Sequence, residues 1–164
     1  MYEVKHKSKD LVSHGVAACA GCGLELIMRK TMEILGENTI VVIPPGCSAL
    51  FSGDGATVDI GLQSLSGVLE RRDKVLYICY DNEAYMNTGI QGSSSTPAYA
   101  TTTTTPTGKE TNRKDLLQIA IAHDIPYAAS ASIHNPKDFQ KKVKKAKETD
   151  GPSLVHVQTP CPTG

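Results

Sequence analysis

The chain has 164 residues, with 17 basic and 17 acidic side chains and 40% hydrophobic residues. This length and composition are typical of one globular domain and exclude disorder and collagen-like structure. The balanced charge gives no field that attracts nucleic acid or a membrane surface, and no apolar run reaches the roughly 20 residues that cross a bilayer. The length predicts a single domain over residues 1–164. Because no apolar signal segment lies near the start, we expect this domain to be cytoplasmic.

The N-terminal third combines one helical pattern with two short apolar runs. Residues 1–13 are polar and basic, and we expect a surface arm there. Apolar residues recur at helical intervals from Leu24 to Leu35, before Gly36 stops the pattern. The β-branched residues 39–43 predict a buried strand, and a second strand-like run lies at 49–51. Two neighbouring parallel strands need a connecting segment of about a dozen residues, which is longer than the segment between these two runs. Either the second run is therefore not a neighbouring parallel strand, or a joining segment is absent.

The remaining chain alternates helical and strand patterns. Helical periodicity covers 60–71, 115–122 and 136–148, and apolar strand patterns cover 75–80, 127–130 and 153–157. This alternation predicts the α/β class, with a mainly parallel sheet flanked by helices. In the last helix, lysines leave Phe139, Val143 and Ala146 on the opposite face, which is typical of a solvated amphipathic helix. A docking patch for an acidic electron carrier is the alternative interpretation of these lysines.

Residues 93–108 differ from the rest of the chain in composition. They contain three serines, two prolines and five consecutive threonines at Thr101–Thr105. Packing of apolar side chains cannot explain such a segment. It is either a flexible, solvated connection or a hydroxyl-rich loop folded over a polar ligand, and the sequence leaves both interpretations open.

Two polar clusters follow predicted strands. Gly53-Asp54-Gly55 comes after an apolar run and before a helical one, and Asp81-Asn82-Glu83 comes directly after the strand at 75–80. Ligands of α/β proteins bind at the carboxyl ends of the strands, and Mg²⁺ prefers carboxylate, amide and carbonyl oxygens. The two clusters together therefore predict a site for Mg²⁺ and a diphosphate. Ordinary turns are the competing interpretation of each cluster taken alone.

Five cysteines in a chain without a secretion signal favour ligands or catalytic groups over disulfides. Cys19 and Cys22 form a C-x-x-C pair, Cys47 follows 25 residues later, and Cys161 lies near the end of the sequence. Four thiolates suit a closed zinc site or a 4Fe–4S cluster, and the spacing alone favours zinc somewhat. A redox-active C-x-x-C pair is a third interpretation. Cys79 lies inside a strand pattern and is expected to be a buried small hydrophobic residue.

These motifs occur together in one known family. Gly53-Asp54-Gly55 is followed, 28 positions after its Asp, by Asn82, which is similar to the thiamine diphosphate fingerprint. Further matching segments are His14–Gly23, Tyr80–Gln91, Ser94–Pro97 and Cys161–Gly164. Nearly the whole chain thus resembles the β subunit of 2-oxoacid:ferredoxin oxidoreductases of the pyruvate synthase type. The resemblance implies a thiamine-diphosphate-binding, Rossmann-like α/β fold.

The resemblance also implies roles for particular residues. Asp54, Asn82 and the Ala84 carbonyl would hold Mg²⁺, and Asn87 would lie beside the thiazolium ring and the reacting substrate as the catalytic residue. The implied cofactor contacts are Gly53, Asp54, Gly55, Ala56, Asn82, Ala84, Asn87 and Thr88. The implied ligands of a 4Fe–4S cluster are Cys19, Cys22, Cys47 and Cys161, which reverses the preference for zinc.

The activity implied by the resemblance is oxidative decarboxylation of a 2-oxoacid, with pyruvate first, to acyl-CoA and CO2. Electrons would pass through the cluster to ferredoxin, and an α-type subunit, with γ and δ subunits as further candidates, would be the partner. No residue matches the acid that activates the cofactor in this family, so we expect a partner to supply it. The alternative function is a non-catalytic, zinc- or cluster-stabilised α/β binding module.

The chain departs from the family pattern in length. Only five residues separate Cys47 from Gly53, where the family has a few tens, and family members continue beyond the last motif. We therefore expect a subunit that is shortened internally and at the C-terminus.

Overall fold

The computed structural model describes residues 11–12, 19–42 and 52–164. Most of the predicted N-terminal arm, Cys47 and the strand-like run at 49–51 lie outside these residues. The α-helices and strands of the described chain follow in this order: α1 Gly23–Leu35, β1 Ser52–Gly53, α2 Leu62–Glu70, β2 Leu76–Asp81, β3 Ala84–Tyr85, β4 Gln91–Gly92, α3 Leu116–Ala122, β5 Tyr127–Ser132, α4 Pro136–Glu148 and β6 Ser153–Gln158. A π-helical turn at Ala56–Ile60 precedes α2, and a 3-10 turn at Met86–Thr88 lies between β3 and β4.

The main sheet is parallel, with strand order β1-β2-β6-β5. In its centre, Val155 of β6 lies opposite Ile78 of β2 on one side and Ala129 of β5 on the other. The short strands β3 and β4 form a separate antiparallel ribbon directly after β2. This topology confirms the predicted α/β class with a parallel sheet flanked by helices.

Alternating side chains of the sheet fill two core layers. On one face, Ile78 and Tyr80 pack with residues of α1 and α4. On the other face, Cys79 and Leu154 pack with residues of α2 and α3. Cys79 is fully buried, as predicted for a small hydrophobic residue, and burial raises the pKa of its thiol.

The helix ends follow local signals in the sequence. Gly36 ends α1 with a left-handed φ of 80°, which a residue with a Cβ rarely adopts. The Asp115 side chain caps α3 by accepting from the Gln118 N–H at 3.0 Å, and the Asn135 side chain caps α4. Among the helices that the structure describes, none combines the length and apolar character needed to cross a membrane.

The amphipathic pattern of α4 is confirmed by its packing. Phe139, Val143 and Ala146 are buried against the sheet, and five of the six lysines are exposed. Lys147 reaches the carboxyl end of α1 and donates to the Ile34 and Leu35 carbonyls. The helix thus uses one face for the core and the other for solvent.

The predicted strand at 39–43 is wrong over residues 39–42. These residues form no regular structure, and Ile40 and Val42 are 93% and 84% exposed. β-Branched residues favour strands only where a neighbouring strand pairs with them and covers one face. The β1 edge of the described sheet pairs with β2 alone, so residues 39–42 have no such neighbour there.

Candidate cofactor site

The two predicted polar clusters meet because their strands are neighbours. β1 and β2 are parallel, with Gly53 opposite Tyr80, so both strands end at the same edge of the sheet. Asp54 follows β1, and Asn82 follows β2. A side-chain amide atom of Asn82 lies 3.1 Å from Asp54 Oδ1. The structure therefore brings the first two predicted Mg²⁺ ligands into direct contact.

Two tyrosines explain the glycines on either side of Asp54. A Cβ at position 53 would lie 3.0 Å from Tyr80 Oη, and a Cβ at position 55 would lie 2.3 Å from the Tyr85 ring. The Tyr85 hydroxyl also donates to the Gly55 carbonyl at 3.1 Å. Glycine is thus needed at position 55 because an aromatic ring occupies the place of a side chain.

The Asp54 carboxyl group is almost completely buried, with 2% of the residue exposed. Ser93 Oγ donates to Asp54 Oδ2 at 2.6 Å. The pKa of Asp54 is raised to about 7, mainly because the group is buried; the Ser93 hydrogen bond lowers the pKa and the nearby Asp81 raises it, each by less than burial does. A bound cation would stabilise the ionised Asp54 carboxylate by balancing its negative charge.

The inward-facing amide atom of Asn82 tests whether these residues fit Mg²⁺. It lies 2.9 Å from the Ala84 carbonyl oxygen and 3.1 Å from Asp54 Oδ1. With the amide nitrogen inward, Asn82 donates to both oxygens. With the amide oxygen inward, its separations from the other two oxygens match the spacing of about 3 Å between neighbouring ligands around Mg²⁺, since each Mg–O bond is about 2.1 Å. The three donors therefore fit the ion in type, and the two separations from Asn82 fit its ligand spacing.

A cavity of about 330 Å³ opens beside these oxygens. It contains every cofactor contact that the resemblance implied, together with two tyrosines, one methionine and one isoleucine. Its lining residues are Gly53, Asp54, Gly55, Ala56, Ile60, Tyr80, Asn82, Ala84, Tyr85, Met86, Asn87 and Thr88. The structure thus gathers residues from two distant parts of the chain around one space.

A carboxylate that the sequence analysis missed supports this cavity from behind. Asp59 accepts hydrogen bonds from the Tyr85 hydroxyl at 3.0 Å, the Ser94 N–H at 3.0 Å and Lys114 Nζ at 3.2 Å. Burial would raise the pKa of Asp59, but the hydrogen bonds from Ser94, Lys114 and Tyr85 outweigh burial and lower it. No motif marks Asp59, because its three partners come from separate segments of the chain.

The first part of the Ser/Thr-rich segment is folded rather than solvated. Ser93, Ser95 and Thr96 are buried, and Thr96 Oγ1 donates to the Glu83 carbonyl at 2.5 Å. Lys109 Nζ donates to the Thr96 carbonyl at 2.6 Å and thereby fixes the segment from the other side. A flexible connection is therefore the wrong interpretation for these residues. Their hydroxyl groups hold the turn after β2 and the Asp54 carboxyl group.

The three histidines among the described residues all have hydrogen-bond partners. His156 Nε2 lies 2.7 Å from Asp81 Oδ2, at the end of β2. His123 contacts Ser66 and His134 contacts Ser132. His14 lies outside the described residues. These contacts are typical of hydrogen-bonded structural histidines.

Three of the four predicted cluster ligands, Cys19, Cys22 and Cys161, lie within the described residues. The turn between Cys19 and Cys22 lies near the C-terminal segment, since a Cβ at Gly21 would be 3.9 Å from Pro162. Across residues 11–12, 19–42 and 52–164, however, no three His, Cys, Asp or Glu side chains form a group that could hold a metal ion. Cys47 lies outside these ranges. The described thiols of Cys19, Cys22 and Cys161 are therefore not assembled into a ligand set.

Comparisons with known proteins agree with the geometry of the site. Residues 4–157 match the family of thiamine pyrophosphate enzymes, C-terminal TPP binding domain. Among solved structures, the chain is similar to 2-oxoglutarate:ferredoxin oxidoreductase from Magnetococcus marinus with 2-oxoglutarate, coenzyme A and succinyl-CoA bound. The TM-score is 0.82 at 24% identity, over 94% of this chain and 67% of that one, which shows a shared fold.

Several curated relatives are more similar in sequence. Pyruvate synthase subunit PorB of Methanothermobacter thermautotrophicus is 40% identical over 211 residues, covering 98% of this chain and 73% of the relative. Ketoisovalerate oxidoreductase subunit VorB of Pyrococcus abyssi is 42% identical over 205 residues, covering 92% and 66%. PorB of Pyrococcus furiosus is 61% identical over 153 residues, covering 90% and 43%.

The alignment with the Methanothermobacter relative is longer than this 164-residue chain, so the relative has internal positions that the chain lacks. This confirms the predicted internal shortening. The chain belongs to the thiamine pyrophosphate enzymes and, within them, to the β subunits of the 2-oxoacid:ferredoxin oxidoreductases.

Proposed function

We propose that this β subunit holds Mg²⁺ and thiamine diphosphate for the oxidative decarboxylation of a 2-oxoacid, with pyruvate as the first candidate. The observation that carries the proposal is the meeting of the Asp54 carboxyl group, the Asn82 side-chain amide and the Ala84 carbonyl beside the cavity at the ends of β1 and β2. Relatives named pyruvate synthase and ketoisovalerate oxidoreductase subunits support a 2-oxoacid substrate.

In this proposal the protein binds the cofactor and the metal ion and orients them. Thiamine diphosphate, when bound, supplies the carbanion chemistry that cleaves a 2-oxoacid next to its keto group. Asp54, Asn82 and the Ala84 carbonyl hold Mg²⁺, and Ser93 keeps the Asp54 carboxyl group oriented by its 2.6 Å hydrogen bond. Asn87 lines the same cavity and is the proposed contact to the thiazolium ring and substrate.

We propose that a partner subunit completes this site. Ile60 lines the cavity although the residue is 79% exposed, and Asn87 is also exposed, so one side of the cavity faces solvent. A site that protects reactive carbon centres from water needs a cover on this side. An α-type subunit would supply the cover, the activating acid and contacts to coenzyme A. Subunits of γ and δ type are further candidates.

We further propose that Cys19, Cys22, Cys47 and Cys161 hold a 4Fe–4S cluster that passes electrons to ferredoxin. The resemblance of the cysteine spacing and the closeness of Gly21 to Pro162 support this ligand set. Because the described thiols form no metal-binding group, assembly of the cluster itself would draw the segments together, as metal ions commonly do for small sites.

Activity tests the proposed reaction and its dependence on a partner. The anaerobically purified chain, loaded with cofactor and iron, is expected to give negligible pyruvate-dependent reduction of a viologen dye. A matched α-type subunit should restore reduction, and Asp54→Ala should abolish it again. Robust reduction by the chain alone that disappears in Asp54→Ala would show that the catalytic unit is complete without a partner. No reduction with the partner and any 2-oxoacid would contradict the proposed reaction.

A further inference from the structure

The run Thr101–Thr105 has no role in the proposed function, although its hydroxyl groups make specific contacts. Thr103 Oγ1 donates to the carbonyl oxygens of Gly89 and Ile90 at 2.8 and 2.9 Å. The Thr103 N–H also donates to the Ile90 carbonyl at 3.0 Å. Thr103 therefore holds two consecutive peptide groups, through a hydroxyl hydrogen shared between two carbonyl oxygens and through its own N–H.

The segment that Thr103 contacts has an unfavourable backbone conformation. Ile90 has a φ of 59°, and β-branched residues are strongly disfavoured in this left-handed region. Gly89 before it has a φ of 99°. Both amide groups donate to the Met86 carbonyl, at 3.2 and 3.3 Å, which closes a tight turn. Such strain persists only where the surroundings hold it in place.

This turn carries two of the residues that line the cofactor cavity. Asn87 and Thr88 lie between Met86 and Gly89, inside the loop closed by those hydrogen bonds. The neighbouring Thr104 Oγ1 accepts from the Gly92 N–H at 2.9 Å. Gly92 in turn pairs with Ala84, whose carbonyl is a proposed Mg²⁺ ligand. The threonine run thus borders both parts of the site.

We propose that Thr103 is a positioning residue, whose hydroxyl group holds the strained turn so that Asn87 and Thr88 face the cofactor. This inference rests on the proposed function for the identity of the ligand. Thr103 itself does not line the cavity, so its effect passes through the Gly89 and Ile90 carbonyls.

Three variants of the full chain separate the hydroxyl group from the shape of the side chain. Thr103→Val keeps the β-branched shape and removes the hydroxyl group, whereas Thr103→Ser keeps the hydroxyl group. Thr101→Val is the matched control, because Thr101 is exposed and its side chain has no hydrogen bond within the described chain. Each variant is examined by amide hydrogen exchange over residues 86–92 and by calorimetric titration with thiamine diphosphate and Mg²⁺.

Thr103→Val is expected to speed exchange of the Gly89 and Ile90 amides about fivefold and to weaken cofactor binding by a similar factor. Thr103→Ser and Thr101→Val should match the wild type in both measurements. Unchanged affinity in Thr103→Val, or an equal loss in Thr103→Ser, would overturn the inference. A wild-type chain that binds no thiamine diphosphate would instead refute the proposed function, and exchange would still show whether Thr103 holds the turn.

Discussion

The Asp54 carboxyl group and the Asn82 amide meet at the ends of β1 and β2, whereas the described thiols of Cys19, Cys22 and Cys161 form no metal-binding group. Asp54 and Asn82 follow neighbouring strands whose register is fixed by the parallel sheet, so their contact needs no metal. Cys22 precedes α1 and Cys161 lies in the irregular segment after β6. Ligands on paired strands are preorganised, while ligands on turns and tails depend on the metal for assembly. The two regions should therefore respond differently to changes in sequence and metal.

The largest expected effect is on the thiol region. Cys161→Ser should remove nearly all iron and sulfide from the anaerobically purified chain, because three remaining thiolates hold a 4Fe–4S cluster poorly. Chemical analysis of iron and acid-labile sulfide measures this loss. Cys79→Ser is the comparison, since Cys79 is buried in the core and should lower stability rather than iron content. Iron loss in Cys79→Ser without loss in Cys161→Ser would exclude the proposed ligand set.

In the region of Asp54 and Asn82, a substitution that crowds the backbone should lower stability even without a metal. Gly55→Ala places a Cβ 2.3 Å from the Tyr85 ring, so we expect a loss of about 3 kcal/mol in unfolding free energy and of cofactor binding. Urea denaturation measures the stability.

Gly67→Ala is the matched control for this substitution. Gly67 lies within helix α2, and the nearest atom to a Cβ there would be in the Arg71 side chain, at 3.5 Å. Alanine at this position should raise the free energy of unfolding by about 0.5–1 kcal/mol. If both variants behave alike, the contact with Tyr85 does not explain the glycine at position 55.

A smaller effect concerns the buried carboxyl group of the metal-free chain. Burial raises the pKa of Asp54 from 3.8 to about 7, so the unfolded chain loses this proton at lower pH than the folded chain. The free energy of unfolding should therefore fall by about 2 kcal/mol as the pH rises from 4 to 7, and then level off. This figure allows for water that relaxes around the ionised group.

Asp54→Asn tests this assignment, because an amide stays neutral over the whole range. Urea titrations at pH 4, 5, 6 and 7 should show a shallower decrease for Asp54→Asn than for the wild type. Parallel curves for the two proteins would mean that another group causes the pH dependence.

Much of the fold follows from local patterns, and the exceptions share a cause. The helix at 136–148 was predictable because Asn135 and Pro136 mark its start and three apolar residues face the core. The strand predicted over residues 39–42 was wrong because a β-branched run does not indicate whether a neighbouring strand is present to pair with it. The site shows the same contrast. Asp54 and Asn82 stand in recognisable motifs, whereas the bond from Ser93 to Asp54 joins residues 39 positions apart that no pattern links.

Calorimetric titration of the chain with thiamine diphosphate tests the central claim most directly. In the presence of Mg²⁺, Asp54→Asn should weaken binding at least about tenfold, or about 1.4 kcal/mol, because a neutral amide balances the ion and diphosphate less well. Asp73→Asn is the control, since Asp73 is exposed and contacts Arg71. We predict wild-type affinity for Asp73→Asn and loss of the Mg²⁺ dependence for Asp54→Asn; equal, Mg²⁺-dependent affinity in all three proteins would contradict the proposed site.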